Sequence, residues 1–233
     1  MPRILSFTSG PHDWKQFLAD PEKKWKPGYS ACTLAHCWEH SDGFPPEVNN
    51  ALSQRAEPLL ANLDLLLAVP EFKVHLPGGT RPSQNDIFVL ARSSAGPICI
   101  MVEGKVNESF GPTLTEWLID ASPGKNERLD FLLRTLSLPT RLSGDIRYQL
   151  LHRAASAIIT GEQYHAKAAI VLVHSFSKEN AGWKDYEAFI HLFGVNAERN
   201  VVQRLAGATS IPLFGAWVTG NLKFLDSGRE VEA

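Results

Sequence analysis

The sequence lacks several features that would assign its class directly. None of its apolar stretches approaches the roughly 20 residues that a membrane-spanning helix needs. Its first residues, MPRILSFTSG, carry one basic side chain and no apolar segment of signal-peptide length. We therefore expect a cytoplasmic protein with no membrane partner. The formal charge of −2 shows no excess of either sign, so any surface for a polyanion would have to be local.

Cysteine is scarce, and familiar enzyme motifs are missing. The three cysteines, Cys32, Cys37 and Cys99, are too few and odd in number for a disulfide framework. Such usage is typical of a reduced compartment. The sequence has no Walker A loop and no GxSxG, HExxH or GxGxxG motif. P-loop nucleotide hydrolysis, serine esterase chemistry and dinucleotide redox therefore have no support.

A zinc site is suggested only by the spacing of Cys32, His36 and His40 on one predicted helix. The outer two residues would lie about 12 Å apart along the helix axis. That separation is too large for one ion with bonds of about 2 Å. At most one pair could bind zinc, with further ligands from elsewhere, and we prefer the interpretation that this helix face is packed.

The features that are present predict an α/β protein with a mixed sheet. Hydrophobic residues make up 44% of the chain and charged residues 21%, as in an ordinary globular domain. Short helices are predicted over 13–18 and 30–40. A longer amphipathic helix opens at GFPPEV and ends at Pro70, with apolar residues at helical spacing: Val48, Leu52, Leu59, Leu63 and Leu66.

Three strands are predicted next, within 71–79, 85–93 and 98–106, and their short turns favour antiparallel pairing. A helical insertion follows at 112–142, marked by Thr113 and Glu116 at capping-box spacing and by Ser122-Pro123. The remaining elements are a helix over about 145–159, an apolar strand within 166–176, a helix at 183–194 and a strand within 210–220. We expect an N-terminal helical extension over 1–44 and one α/β domain over 45–233.

The stretch ICIMVEGKV, residues 98–106, carries the strongest chemical signal. An apolar strand ends in Glu103, Gly104 and Lys105, and buried charges need a partner, a metal or solvent. Asp86 opens the preceding strand, so hairpin pairing can bring it beside Glu103. Two carboxylates suit a hard divalent cation, and a lysine beside them could orient a water or offset phosphate charge. A salt bridge between Glu103 and Lys105 is the structural alternative.

Asp86 followed by Glu103-Gly104-Lys105 resembles the PD-(D/E)XK nuclease superfamily, whose restriction-endonuclease-like αβββαβ core is similar to residues 46–176. The resemblance implies Mg²⁺- or Mn²⁺-dependent phosphodiester hydrolysis, with Asp86 and Glu103 as metal ligands and Lys105 positioning the water. It also implies a helper glutamate from the first core helix, for which Glu47 is the nearest match. Gln149, in RYQLLHR, would join the site from the helix after the third strand.

This resemblance depends on context, because acid-x-lysine triplets also occur at 13–15, 22–24 and 71–73. Only Glu103 ends an apolar strand whose predecessor opens with an acidic residue. Asn85 stands where the superfamily often has proline. The segment GYSACTLAHCWE is similar to an uncharacterised bacterial group with such a core.

Nucleic acid is the implied partner, with DNA favoured over RNA, and cutting both strands of a duplex would favour a homodimer. Two alternatives stay open. One is a catalytically inactive binding or regulatory module that keeps the fold. The other is a component whose activity depends on a partner chain.

Overall fold

A mixed six-stranded sheet organises the protein. The computed structural model describes residues 8–207 and 209–228. The strands, in chain order, are β1 (Asp64–Val74), β2 (Ser83–Ser93), β3 (Gly96–Lys105), β4 (Ala168–Ser175), β5 (Val202–Arg204) and β6 (Leu213–Thr219). They lie in the order β1-β2-β3-β4-β6-β5. The predicted α/β class with a mixed sheet is confirmed.

Helices cover both faces of this sheet. The α-helices are α1 (Pro21–Lys24), α2 (Ser30–Glu39), α3 (Pro46–Ser53), α4 (Leu114–Trp117), α5 (Pro123–Thr135), α6 (Tyr148–Gln163) and α7 (Trp183–His191). Three 3-10 helices, Pro11–Phe17, Pro58–Leu60 and Leu222–Asp226, complete the helical structure of the described chain. Across residues 8–207 and 209–228, no helix is both long and apolar enough to cross a bilayer.

The strand pairings follow from the connections. β1, β2 and β3 form an antiparallel meander, in which residues 75–82 join β1 to β2 and a two-residue turn joins β2 to β3. β4 lies parallel to β3, which requires a crossover, and α6 lies in that connection. Every residue of β4 is buried, as expected for a parallel strand covered on both faces.

Two hydrophobic clusters lie on opposite faces of the sheet. The first includes Trp14, Leu34 and Trp38 from the N-terminal segment together with Val48 and Val102. The second is formed mainly by the other sheet face with α5, α6 and α7. Residues on both sides of the expected boundary at residue 44 thus share one cluster.

The predicted long helix from GFPPEV to Pro70 is wrong. α3 ends at Ser53, and β1 begins at Asp64. Leu65 is buried while Leu66 is 43% exposed, which is the alternation of a strand. Pro70 lies inside β1, where it is tolerated because β1 is an edge strand.

The helix predicted over about 145–159 forms, but its bounds are shifted. α6 runs from Tyr148 to Gln163, so Gly161 lies inside the helix and does not stop it. A Cβ at Gly161 would come within 2.6 Å of Ile211 Cδ1. Close packing therefore explains this glycine. The capping box of Thr113 and Glu116 is confirmed, with both reciprocal hydrogen bonds present.

Candidate active site

Three carboxylates form a row across the meander, on three adjacent strands. The β2–β3 register ends at Ile87 opposite Val102, which puts Asp86 opposite Glu103. The β1–β2 register runs from Pro70 opposite Ile87 to Phe72 opposite Asn85, which puts Glu71 opposite Asp86. Directly opposed residues of antiparallel strands share a sheet face. The predicted neighbours Asp86 and Glu103 are therefore brought together, and Glu71 joins them.

Glu103 is buried and paired with two cations. Lys105 Nζ lies 2.5 Å from its Oε1, and Arg153 Nε lies 2.5 Å from its Oε2. Gln149 Nε2 donates to Oε1 at 2.8 Å. Burial alone would raise the pKa of this carboxyl, but Arg153 and then Lys105 lower it to about 2. Glu103 is thus a carboxylate throughout the physiological range.

Asp86 has a different environment, because no lysine or arginine of the described chain comes within ion-pair distance of it. Its Oδ2 accepts a hydrogen bond from the Gly104 amide at 2.7 Å. Burial and then the charge of Glu103 raise the pKa of Asp86 to about 6. The absence of a Cβ at Gly104 matters here, since one would lie 3.1 Å from Leu34 Cδ2 and 3.5 Å from Asp86 Oδ2.

Glu71 is a residue of this group that the sequence did not single out. It is half-buried and has a left-handed backbone with φ 53°, which is uncommon outside glycine and asparagine. Gln84 Nε2 donates to its Oε2 at 2.5 Å. Burial and then Asp86 raise the pKa of Glu71 to about 8. The triplet at 71–73 was a visible signal, but it was one of several such triplets.

Helix α6 supplies the polar side chains above the row. Gln149 and Arg153 are one turn apart on the helix that crosses over β3, so both reach Glu103. Arg153 Nη1 also donates to Ser83 Oγ at 3.2 Å. Although burial opposes its charge, Glu103 and Asp86 keep the pKa of Arg153 above its ordinary value. The guanidinium is therefore a fixed positive charge above the carboxylate row.

The group lies on the floor of a cleft of about 620 Å³. One wall comes from the N-terminal segment, including the exposed Lys23 and Lys24, and the other includes Tyr148 and His152. Burial and then Arg153 lower the pKa of His152 well below its ordinary value, which favours the neutral imidazole. The size of the cleft is typical of small-ligand sites.

A glutamate on the loop after β3 links the N-terminal wall of the cleft to the end of β3. Glu108 Oε1 accepts from the Ser30 amide at 2.8 Å, and its Oε2 accepts from the Val106 amide at 2.9 Å. The first turn of α2 is therefore fixed to the strand end that carries Lys105.

Glu47, the expected helper, lies elsewhere. It does not line this cleft; its Oε1 lies 3.3 Å from His174 Nε2, accepts from the Asn221 amide at 3.1 Å and lies 3.6 Å from Cys37 Sγ. The expectation that Glu47 joins Asp86 and Glu103 is corrected by this placement. The reason is that α3 packs against β6 and β5, near the end of the sheet away from β1.

Cys37, Glu47 and His174 converge within 4.8 Å, the one such group of potential metal ligands in the described chain. Trp38 Nε1 can only donate, and it lies 3.2 Å from His174 Nδ1. Nδ1 is therefore the acceptor, so Nε2 carries the proton and faces Glu47. A metal would need the lone pair of that nitrogen, and burial and then Glu47 raise the pKa of the Cys37 thiol. The cluster fits a hydrogen-bonded link better than a zinc site.

The predicted zinc-like face of α2 is packed. Cys32 is buried, and its Sγ lies 3.7 Å from the Ser227 carbonyl oxygen. His36 makes an edge contact with the His12 ring, and His40 makes one with Phe224. The three residues do not form a converging ligand group among the described residues.

A hard divalent cation fits the donors of the carboxylate row. All three side chains offer oxygen, which Mg²⁺ and Mn²⁺ prefer. Their ligand atoms do not all converge within 4.8 Å in the described chain, so the row is open and not a closed protein cage. Mg²⁺ commonly keeps several waters and takes one or two carboxylates plus substrate phosphate, which matches an open row at the floor of a cleft.

Comparison with known proteins gives a family and no activity. Residues 7–222 match the family described as "Domain of unknown function (DUF6946)", and the chain belongs to that family. No curated protein matches the chain, and no solved structure matches it.

Proposed function

We propose that this protein is a Mg²⁺- or Mn²⁺-dependent nuclease that hydrolyses phosphodiester bonds in nucleic acid. The observation that carries the proposal is the meeting of Asp86, Glu103 and Lys105 on the floor of one cleft, with Gln149 and Arg153 above them. A lysine and two carboxylates in a partly dehydrated site are the parts that metal-dependent phosphoryl chemistry uses.

The topology supports a restriction-endonuclease-like core. An antiparallel meander, a crossover helix and a strand parallel to the third strand resemble the αβββαβ order of the PD-(D/E)XK superfamily. The position of Asp86 opposite Glu103, with Lys105 two residues further along β3, supports the resemblance. Fold alone does not establish function, so the proposal rests on the site.

Each residue has a defined role in this proposal. Asp86 and Glu103 would hold the cation, which when bound supplies Lewis acidity and a water of lowered pKa. Lys105 Nζ lies 2.5 Å from Glu103 Oε1 and 3.4 Å from Gln149 Oε1, and this contact fixes the ammonium group. Lys105 would then orient the attacking water, while Arg153 offsets charge on the phosphate.

We further propose nucleic acid as the substrate, with DNA favoured over RNA. Lys23 and Lys24 line the cleft and are exposed, where they can contact a phosphate backbone. A homodimer would fit cleavage of both strands of a duplex.

The test uses labelled oligonucleotides of one sequence as single- and double-stranded DNA and RNA, incubated with Mn²⁺, with Mg²⁺ or with a chelator. We expect metal-dependent cleavage of at least one substrate. Lys105→Met should lower the rate about 100-fold or more, because the attacking water would lose the group that orients it and misplacement of a reacting group costs about that much. Lys184→Met, at an exposed lysine of α7, is the matched control. Cleavage by Lys105→Met at the wild-type rate would refute the assigned role of the lysine.

A second candidate is a nuclease-like module that binds without hydrolysis. It is favoured by the pairing of Glu103 with both Lys105 and Arg153, which already neutralises one proposed metal ligand. Metal binding separates the two proposals. Saturable binding of Mn²⁺ that is lost in Asp86→Ala and Glu103→Ala supports the enzyme, whereas no binding with or without DNA supports the module.

A further inference from the structure

The carboxylates of the row are unequally paired with positive charge. Glu103 has two buried cations in contact, Lys105 and Arg153. In the described chain neither Asp86 nor Glu71 has a lysine or arginine within 4.0 Å. Both buried cations are therefore in direct contact with Glu103, and they act on Asp86 only from a greater distance.

The two remaining carboxylates face each other. Glu71 falls opposite Asp86 in the β1–β2 register, and both line the cleft. Both accept hydrogen bonds from neutral groups, the Gln84 side-chain amide to Glu71 and the Gly104 backbone amide to Asp86. Because the donors to both acids are neutral, a divalent cation bound between β1 and β2 would stabilise the ionised forms of the two carboxylates.

The backbone of Glu71 is held in an unusual conformation at this point. Its φ of 53° interrupts β1 between two regularly paired residues, Pro70 and Phe72. Left-handed backbone in a residue with a Cβ costs about 1–3 kcal/mol and persists where its surroundings fix it. The distortion therefore occurs at the residue whose carboxylate borders the cleft, between regularly paired residues of an edge strand.

We infer that Glu71 is a further ligand of the divalent cation, completing with Asp86 and Glu103 a three-carboxylate site. This inference rests on the proposed function, because it assigns a residue to the same cation. It places on β1 the helper carboxylate that the sequence assigned to Glu47 on α3. The cation would then be shared between Asp86 and Glu71, while Glu103 also holds Lys105 and Arg153 in place.

The experiment is a calorimetric titration of Mn²⁺ into the full chain at pH 8. Wild type, Glu71→Gln, Asp86→Asn and the matched control Glu47→Gln are compared, and a thermal melt verifies that each variant is folded. Glutamine keeps the length of the side chain and its hydrogen bonding while removing one ligand charge. We expect the dissociation constant to rise about tenfold or more in Glu71→Gln, since charge count tunes the affinity of such sites. Glu47→Gln should bind as wild type does.

The outcomes separate this inference from the proposed function. Binding by folded Glu71→Gln with the wild-type constant, while Asp86→Asn loses it, would overturn the role of Glu71 and leave the nuclease proposal standing. Weakened Mn²⁺ binding in Glu71→Gln together with no cleavage of any substrate would support Glu71 as a ligand and overturn the proposal of nuclease activity. No Mn²⁺ binding by wild type, with and without an oligonucleotide, would overturn both.

Discussion

The chemistry available at the site depends on which of its charged side chains are paired with a side chain of opposite charge. Glu103 is 2% exposed and Lys105 4%, so each depends on protein partners in place of water. Among the described residues, no lysine or arginine is in ion-pair contact with Asp86 or Glu71, and the pKa values of these two acids are raised to about 6 and about 8. The site therefore contains one carboxylate whose charge is already paired with cations, beside two carboxylates whose ionised forms a bound cation would stabilise.

Removing Glu103 should be costly because it leaves two buried cations unpaired. We expect Glu103→Ala to lower the free energy of unfolding by about 3–5 kcal/mol, as is typical when one partner of a buried ion pair is deleted. Urea denaturation measures the loss. Glu22→Ala is the control, since Glu22 forms an exposed ion pair with Lys15 and should change stability by about 0.5 kcal/mol or less. Equal effects of the two substitutions would contradict the burial of charge described for this site.

Glu71 should make stability depend on pH in a defined direction. Its pKa is raised from 4.5 to about 8, so the folded state holds the proton more tightly than the unfolded state does. The stability it contributes is complete below about pH 4.5 and is lost as the pH rises through about 8. In a chelator, Glu71→Gln should therefore melt near the wild-type temperature at pH 5. At pH 9 the ionised Glu71 should cost the wild type about 1 kcal/mol of stability, so the variant should melt about 2–4 °C higher than the wild type. A melting-temperature difference that does not grow with pH would contradict the raised pKa.

Helices α2 and α3 are joined to the sheet by polar contacts as well as by apolar packing. Trp38 of α2 donates to His174 of β4, and the other nitrogen of that ring faces Glu47 of α3. Three elements are thus linked through one imidazole ring, which is fully buried.

We expect Trp38→Phe to break this link. His174 Nδ1 would lose its donor inside the core, and a buried acceptor without a partner costs about 1–3 kcal/mol. Trp25→Phe serves as the control, because Trp25 is a partly buried tryptophan packed on the same hydrophobic cluster. Chemical denaturation measures both variants. A Trp38→Phe loss no larger than that of Trp25→Phe would show that the ring contributes only packing.

The elements that the sequence predicted best are those with strong local signals. The strand before Glu103, the capping box at Thr113 and the helix opened by Ser122-Pro123 all form as expected. The segment 54–69 was mistaken for helix because its leucines match a period near 3.6, whereas tertiary pairing with β2 makes its last six residues, from Asp64 onward, part of a strand. Glu71 was predicted to open the strand within 71–79, but the part of β1 before it was taken for helix, so the register that puts Glu71 opposite Asp86 was not predicted.

At the scale of the whole molecule, topology assembles the site from distant parts of the chain. Asp86 and Glu103 could be predicted as neighbours because a short turn joins their strands. Gln149 could be placed only through the resemblance to a nuclease core, since 44 residues separate it from Lys105 along the chain. The positions of Glu71 and Glu47 depend on how β1 and α3 pack, which the sequence pattern did not reveal.

The proposed function requires metal-dependent hydrolysis at Asp86. Its most direct test is the cleavage rate of a labelled DNA oligonucleotide, single- or double-stranded, in Mn²⁺, with wild type and Asp86→Asn purified side by side. We expect cleavage by wild type that a chelator abolishes and that falls to background in Asp86→Asn, whose melting curve shows a folded protein. Equal cleavage by both proteins, or none by wild type on either form of the substrate, would contradict it.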